Sequence, residues 1–524
     1  MKKSLFSALS LGTVGALALG TVTAATAQDT DANALQSTLD EILADPRLDG
    51  SQTSVMAENL STGELLYDRN GGDRLLPASN LKLFTSAAAM DRLGPDHRFT
   101  TDLLHTGAIE GGTVDGDLYL RGEGDPTATA ADYRALAADL AAAGVTEVDG
   151  DLVADDTAFD REELGAEWAW GDLQYSYGAP VSALNLAAYE NNDAGTVQVT
   201  VKPGAEGEAA EVALKPATDA LRIEGGVTTG PSGDDTAISV NRELGSDTIT
   251  VSGSIPAGGD AYSASRSVDD PTAYTADVFA KALEAEGITV KGDTRLHEKT
   301  PGDATAAAAH ESAPLSDVLV TFLKLSKNSY AEHLVKALGK DASGQGTFAS
   351  GTDAVAAFLK EQGLDTDSYL QVDGSGLSRL DLIPSAEFMK LLKGVQDEPW
   401  FDQWQFALPI ACDYDLMEGG TLRWRMCGTR AEENATAKTG TMSGATALTG
   451  YTTAANGDTI SFSIMLNDYL GYAPKDIEDA IVIALSDIGA GDTASAPELR
   501  SMATEEAPEY ELDIECTWTE PVSC

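Results

Sequence analysis

Basic residues are scarce in this chain. Lys and Arg number 34 against 84 Asp and Glu, a formal charge of −50 over 524 residues. The chain therefore has no basic footprint for nucleic acid phosphates or anionic lipid heads, and the acidity reads as a solvating surface. Histidine is rare too, with five residues and neither an H-E-x-x-H nor a G-x-S-x-G. A zinc peptidase and a histidine-based serine hydrolase are disfavoured on that ground. Only four cysteines occur, without a C-x-x-C and with no histidine at ligand spacing nearby, so neither a metal nor another cofactor is expected. Aromatics make up only 6%, yet hydrophobic residues reach 43%, enough for packed cores and too much for a disordered polymer. Beyond the N-terminus no apolar run is long enough to cross a bilayer.

The first 27 residues read as an export signal, with Lys2 and Lys3, a mostly apolar stretch from Leu5 to Leu19, and Ala25-Thr26-Ala27 before Gln28. A membrane anchor is the alternative, opposed by the shortness of that stretch and its Ser and Gly interruptions. Export fits the even cysteine count. Cys412 and Cys427 lie 15 positions apart and Cys516 and Cys524 lie 8 apart. Of the three possible pairings, the two local ones are the simplest.

Both ends of the chain carry a hairpin and a helix. Thr53 to Leu60 and Glu64 to Tyr67 flank Ser61-Thr62-Gly63, and Pro77 opens a helix running through Leu93. Thr446 to Thr453 and Thr459 to Leu466 alternate around Asn456-Gly457. Pro474 then starts a helix with Ile477, Ile481, Leu485 and Ile488 in one stripe. These are parts of one sheet covered by helices. Between them, from about Leu104 to Ala313, the chain is rich in Gly, Thr, Asp and Val and holds short strands. Residues 145–151 and 288–293 form a weak internal repeat, each following an Ala-rich helix. The reading is a domain from 28–103 and 314–493, an outer insertion from 104–189 and 271–313, an inner β-rich insertion over 190–270, and an acidic tail over 494–524.

Only one serine has a lysine three places on, in Ser79-Asn80-Leu81-Lys82. Three helical steps of 100° bring Lys82 within about 60° of Ser79 on one face, and free amides at a helix start can hold an oxyanion. Lys438-Thr439-Gly440-Thr441 puts a lysine at the start of an antiparallel strand, with Gly440 allowing close backbone approach. S-x-N occurs as Ser326-Lys327-Asn328, before a helix, and as Ser239-Val240-Asn241, inside the insertion. Only the first lies in the end-to-end domain and between the other motifs. His105-Thr106-Gly107 reads as a loop, and Asp373 to Arg379 as a glycine-rich loop for which a plain turn is the alternative.

In the order Ser79/Lys82, Ser326/Asn328, Lys438/Gly440 these motifs resemble the penicillin-recognising serine enzymes, and most closely the class C penicillin-binding proteins of actinomycetes. The likeness includes Leu76 to Phe84, Gly124-Asp125-Pro126-Thr127, Gly150-Asp151-Leu152 and Asp373 to Arg379. Ser79 and Ser326 lie 247 positions apart, too far for the compact β-lactamases. The resemblance implies an α+β transpeptidase-like domain, a five-stranded antiparallel sheet with helices on both faces, carrying two nested β-rich inserted domains. It implies an exported, cell-wall-associated D-alanyl-D-alanine carboxypeptidase, with endopeptidase activity in some members. Its substrates would be peptidoglycan stem peptides with diaminopimelate side chains, and β-lactams its covalent inhibitors. A β-lactamase or esterase of the same fold, and an idle wall-binding module, are the rival readings.

By the same resemblance, Ser79 Oγ attacks the D-Ala-D-Ala carbonyl and water hydrolyses the acyl-enzyme. Lys82 is the favoured base. Neutrality near pH 7 asks an ordinary lysine pKa of ~10.4 to fall by roughly 3.4, about 4.6 kcal/mol, through desolvation and the Lys438 cation. Ser326 relays a proton to the leaving amine and Asn328 holds the peptide carbonyl. Lys438, Thr439 and Thr441 take the terminal carboxylate, and the N–H groups of Ser79 and Thr441 form the oxyanion hole. Asp172, Tyr177, Arg379, Met442 and Ser443 match a pocket for the substrate side chain, where Asp172 meets an ammonium and Arg379 a carboxylate.

Overall fold

The computed structural model describes residues 34–490. The export signal and the Cys516/Cys524 pair lie outside the described residues, as does the tail. The expected end-to-end sheet is present. Its order is Glu64–Arg69, Gln52–Asn59, Thr459–Asn467, Ala445–Thr453, Thr436–Met442, with every neighbouring pair antiparallel. An N-terminal strand thus pairs with the last strand among the described residues, Val55 opposite Ile464.

Helices cover both faces because both faces are apolar. Ala447, Tyr451 and Met465 enter a core shared with Phe84, Ala88 and Leu334, and Leu448, Phe462 and Ile464 enter another with Leu39, Ile477 and Ile481. Two-sided burial of this kind leaves Ala445–Thr453 and Thr459–Asn467 buried along almost their whole length, with small Thr and Ser side chains alternating with the apolar ones. The stripe of the Lys475–Ser486 helix faces the second core, with Ile477, Ile481 and Leu485 fully buried.

The helix expected from Pro77 begins differently. Ala78 takes a left-handed φ of 46°, Ala78–Leu81 form a 3-10 turn, and the α-helix spans Lys82–Arg92. Pro77 supplies no donor, and the Asn80 amide closes onto the Pro77 carbonyl at 3.1 Å. Ser79 therefore sits in a tight turn ahead of the helix.

In the middle region the repeat becomes layers. Thr289–Val290 lies parallel on Glu147–Val148, and Thr294–Leu296 on Leu152–Asp155. A third copy, Thr113-Val114-Asp115-Gly116-Asp117-Leu118-Tyr119-Leu120, pairs with the first and escaped the sequence reading. Each Gly-Asp has one cause: Asp117 Oδ1 accepts the Asp151 N–H and Asp151 Oδ1 the Asp293 N–H, both at 2.9 Å. A Cβ on Gly150 or Gly292 would lie 2.3 or 2.1 Å from those same carboxylates. Farther in, Glu211–Lys215, Thr196–Lys202 and Tyr262–Ser267 form one three-stranded sheet, and Arg222–Gly230, Thr248–Pro256 and Ala237–Arg242 another. Val199, Val201, Val240 and Ile249 fill the core of this region.

Candidate active site

Ser79 is half-buried, while its neighbours Ala78, Asn80, Leu81 and Lys82 are buried. One turn on, the fully buried Lys82 places Nζ 2.8 Å from Ser79 Oγ, 2.6 Å from Asn328 Oδ1 and 3.0 Å from the Ser375 carbonyl. Asn328 and Ser375 offer oxygens that only accept, whereas the serine hydroxyl can donate or accept. Lys82 donates to the Asn328 and Ser375 oxygens, and its third position meets Ser79 Oγ.

The Lys438 strand lies against the same turn. A Cβ on Gly440 would come within 2.8 Å of the Pro77 carbonyl and 3.0 Å of the Ser79 nitrogen, so only glycine lets strand and turn approach this closely. The Asn80 amide bridges them, its NH2 reaching the Lys438 and Thr439 carbonyls at 2.8 and 3.3 Å while its oxygen accepts the Thr449 hydroxyl at 2.7 Å. Buried Lys438 donates to Ser326 Oγ at 2.8 Å and to the Thr439 carbonyl at 2.8 Å. Ser326 holds a left-handed φ of 59° between two helices, which aims it at the lysine. Thr439 donates to Thr421 Oγ1 at 2.8 Å. Thr421, inside the loop closed by the Cys412–Cys427 disulfide, had no motif to mark it. The other S-x-N lies in strand Ala237–Arg242, and His105 ends strand Thr100–His105.

The loop from Asp373 does more than turn. Gly376, at φ 82°, lets it press on Ala78, whose carbonyl an added Cβ would strike at 1.9 Å. Glu332, fully buried one turn beyond Asn328, accepts the Gly374 and Ser375 amides at 2.7 and 2.9 Å and so holds the carbonyl that Lys82 uses. Burial and the nearby Asp373 push the Glu332 carboxyl up to about 8. Asp373 accepts from Trp168 Nε1 at 2.9 Å and from the Gly376 and Ser378 amides at 2.8 Å. Burial and the neighbouring Asp373 carboxylate raise Asp381 well above the usual carboxylate range. Helical spacing from Asn328 could have flagged Glu332, but no sequence signal distinguishes Asp381.

The residues matched to a side-chain pocket fall around this centre. The Tyr177 carbonyl accepts from Asn328 Nδ2 at 2.9 Å. Asp172 is buried with Oδ1 lacking a hydrogen-bond partner among the described residues. Burial lifts its carboxyl to about 7, against the pull of Arg379 and Tyr177. Arg379 is exposed and donates to the Ser443 carbonyl at 3.0 Å, and Met442 is buried beside Ala78. Trp168 is buried and occupied with Asp373, while Trp170 is 80% exposed.

A five-stranded antiparallel sheet with a serine bonded to one buried lysine, and a second lysine bonded to a second serine, defines the class of penicillin-recognising serine hydrolases. Residues 35–488 match the model of the D-Ala-D-Ala carboxypeptidase 3 (S13) family, and the chain belongs to that family of serine peptidases. It is 42% identical over 488 residues to the D-alanyl-D-alanine carboxypeptidase of Actinomadura sp. strain R39, covering 93% of this chain and 90% of that one. It is 29% identical over 437 residues to the D-alanyl-D-alanine carboxypeptidase DacB of Haemophilus influenzae, covering 82% and 88%. The crystal structure of penicillin-binding protein 4 (dacB) from Haemophilus influenzae superposes with a TM-score of 0.73 at 27% identity, covering 86% of this chain and 97% of that one. That protein has also been solved in complex with a β-lactam, with a TM-score of 0.68 to this chain. Among the described residues no helix is long and apolar enough to cross a membrane.

Proposed function

We propose that this enzyme, exported to the cell wall, removes the terminal D-Ala from peptidoglycan stem peptides through an acyl-enzyme on Ser79. The carrying observation is the 2.8 Å contact between Ser79 Oγ and the Nζ of a fully buried lysine. In this reading neutral Lys82 takes the hydroxyl proton as Ser79 Oγ attacks the penultimate carbonyl. The oxyanion is held by the Ser79 and Thr441 N–H groups, each worth ~3 kcal/mol. Asn328 and Ser375 hold the lysine in line. Ser326, bonded to Lys438, relays the proton held by Lys82 to the leaving D-Ala amine, which restores neutral Lys82, and water then hydrolyses the ester in the reverse sense. Lys438, Thr439, Gly440 and Thr441 receive the substrate carboxylate. Asp172 and Arg379 meet the ammonium and carboxylate of a diaminopimelate side chain, walled by Tyr177, Met442 and Ser443. Buried, unpartnered Asp172 Oδ1 supports that assignment, because such an oxygen is costly unless a ligand uses it. The division into a peptidase domain (28–103, 314–493), an outer insertion (104–189, 271–313) and an inner one (190–270) belongs to the same proposal.

Intact-mass analysis after penicillin treatment tests it. The parent should gain one drug mass and Ser79→Ala none; equal labelling of both ends the nucleophile assignment. Rapid drug release from the parent would instead favour a β-lactamase.

A further inference from the structure

The segment carrying Asp172 and Tyr177 is mostly loop, with one 3-10 turn at Ser176–Gly178, so its shape depends on what holds it from outside. The fixings come from the inner sheets. The Leu173 carbonyl, one residue after Asp172, accepts both Arg242 Nη2 at 2.7 Å and Ser267 Oγ at 2.5 Å. The Gln174 carbonyl accepts the Ser267 N–H at 3.1 Å. Arg242 is itself buried and anchored through Nη1 to the Ser246 carbonyl at 3.3 Å and Asp269 Oδ1 at 3.2 Å. A second inner-sheet arginine, Arg266, donates to the Val240 carbonyl and lies 5.0 Å over the Tyr175 ring. Tyr175 in turn stacks on Tyr177 at 5.5 Å and 11°. A buried arginine is a costly way to gain stability, whereas two donors converging on one loop carbonyl fix its position.

We infer that the inner insertion braces the specificity wall and that Arg242 is a positioning residue, holding the Asp172 carboxyl where it reads a substrate ammonium. This rests on the reading of Asp172 above. The test compares kcat/KM for two peptides ending in D-Ala-D-Ala, one with a diaminopimelate-type side chain bearing a free ammonium and one with that amine acetylated, alongside the rate of penicillin acylation. Arg242→Met should lose about tenfold or more of the preference for the charged peptide, chiefly through KM. Its penicillin acylation and its rate on the acetylated peptide should stay within about threefold of the parent. Ser267→Ala, which removes one donor and little volume, should lose part of the preference, and Arg242→Lys should restore part of it. If Arg242→Met keeps the preference while Asp172→Asn loses it, the brace is wrong and the reading of Asp172 stands. If Asp172→Asn keeps it, both fall. Equal losses on both peptides and penicillin in Arg242→Met and Ser267→Ala would show a merely structural role and overturn the proposal.

Discussion

Lowering the pH should remove the preference for an ammonium-bearing side chain before it impairs chemistry on neutral substrates. The cause is Asp172, whose buried carboxyl titrates at about 7. Above that pH it is a carboxylate and attracts the ammonium; below it, it is a neutral acid and does not. For a group that must be ionised to bind, KM scales as one plus the protonated-to-ionised ratio, about 1.1 near pH 8 and about 11 near pH 6. The charged peptide should therefore lose roughly tenfold in kcat/KM between those conditions. Its kcat should change little, because the bound ammonium keeps Asp172 ionised in the complex. The acetylated peptide shares the Ser79–Lys82 chemistry, so the ratio of the two cancels the titration of the base. Linkage gives an independent reading. A carboxyl raised above its unfolded value of ~3.9 stabilises the folded state most below that pH and loses its contribution as pH climbs to about 7. Asp172→Asn should flatten both the selectivity ratio and this part of the stability profile. A ratio independent of pH from about 8 to about 5.5, or the same fall in Asp172→Asn, would refute the reasoning.

Gly440→Ala should push the Lys438 strand off the Ser79 turn, because the new Cβ meets the Pro77 carbonyl at 2.8 Å and the Ser79 nitrogen at 3.0 Å. Stopped-flow acylation by penicillin should slow by about 10²–10³ with a small change in Tm. Glu332→Gln leaves one oxygen for two loop amides and loosens the Ser375 carbonyl under Lys82. Acylation should drop about tenfold and urea unfolding should show a loss of about 1–3 kcal/mol. Replacing Cys412 and Cys427 by serine opens a loop of 15 residues and should cost about 3 kcal/mol in the same unfolding assay.

What was legible in the sequence was local. The Asn456-Gly457 turn, the apolar stripe after Pro474 and the three motifs each announce themselves within a few residues, and the strands and helix stand where expected. Less legible was anything set by packing between distant segments. The 3-10 turn at Ala78–Leu81 replaces the first turn of the expected helix because the Gly376 loop and the Gly440 strand crowd Pro77 and Ala78. Glu332 stands one helical turn from Asn328, a spacing that could have flagged it, whereas Thr421 and Asp381 leave no such signature. The third Gly-Asp layer was missed because no Gly-ended helix introduces Thr113 as one does the other two. Arg242 carries no sequence signal, because the Leu173 carbonyl that it holds lies 69 positions away.

Asn328 ties the loop at Tyr177 to the lysine beside the proposed nucleophile. Its oxygen accepts from Lys82 and its nitrogen donates to the Tyr177 carbonyl, at 2.6 and 2.9 Å. One amide thus has one end on the proposed base and the other on the inserted wall. A wall that drifted would turn this amide and move an acceptor away from Lys82, so substrate fit and base placement are coupled through a single side chain. Two contacts repeat the pattern on the opposite side: Trp168 Nε1 donates to the Asp373 carboxylate, and the Ser378 hydroxyl donates to the Ala166 carbonyl. The inserted region is therefore fastened to the loop under Lys82 as well as to the helix beyond Ser326. Asn328→Asp should break this coupling selectively. A carboxylate keeps the acceptor for Lys82 but loses the donor to Tyr177, and its charge holds a proton on the lysine. Penicillin acylation should then recover only as pH rises, whereas the parent should already be at its plateau. An unchanged acylation profile in Asn328→Asp would separate the wall from the base.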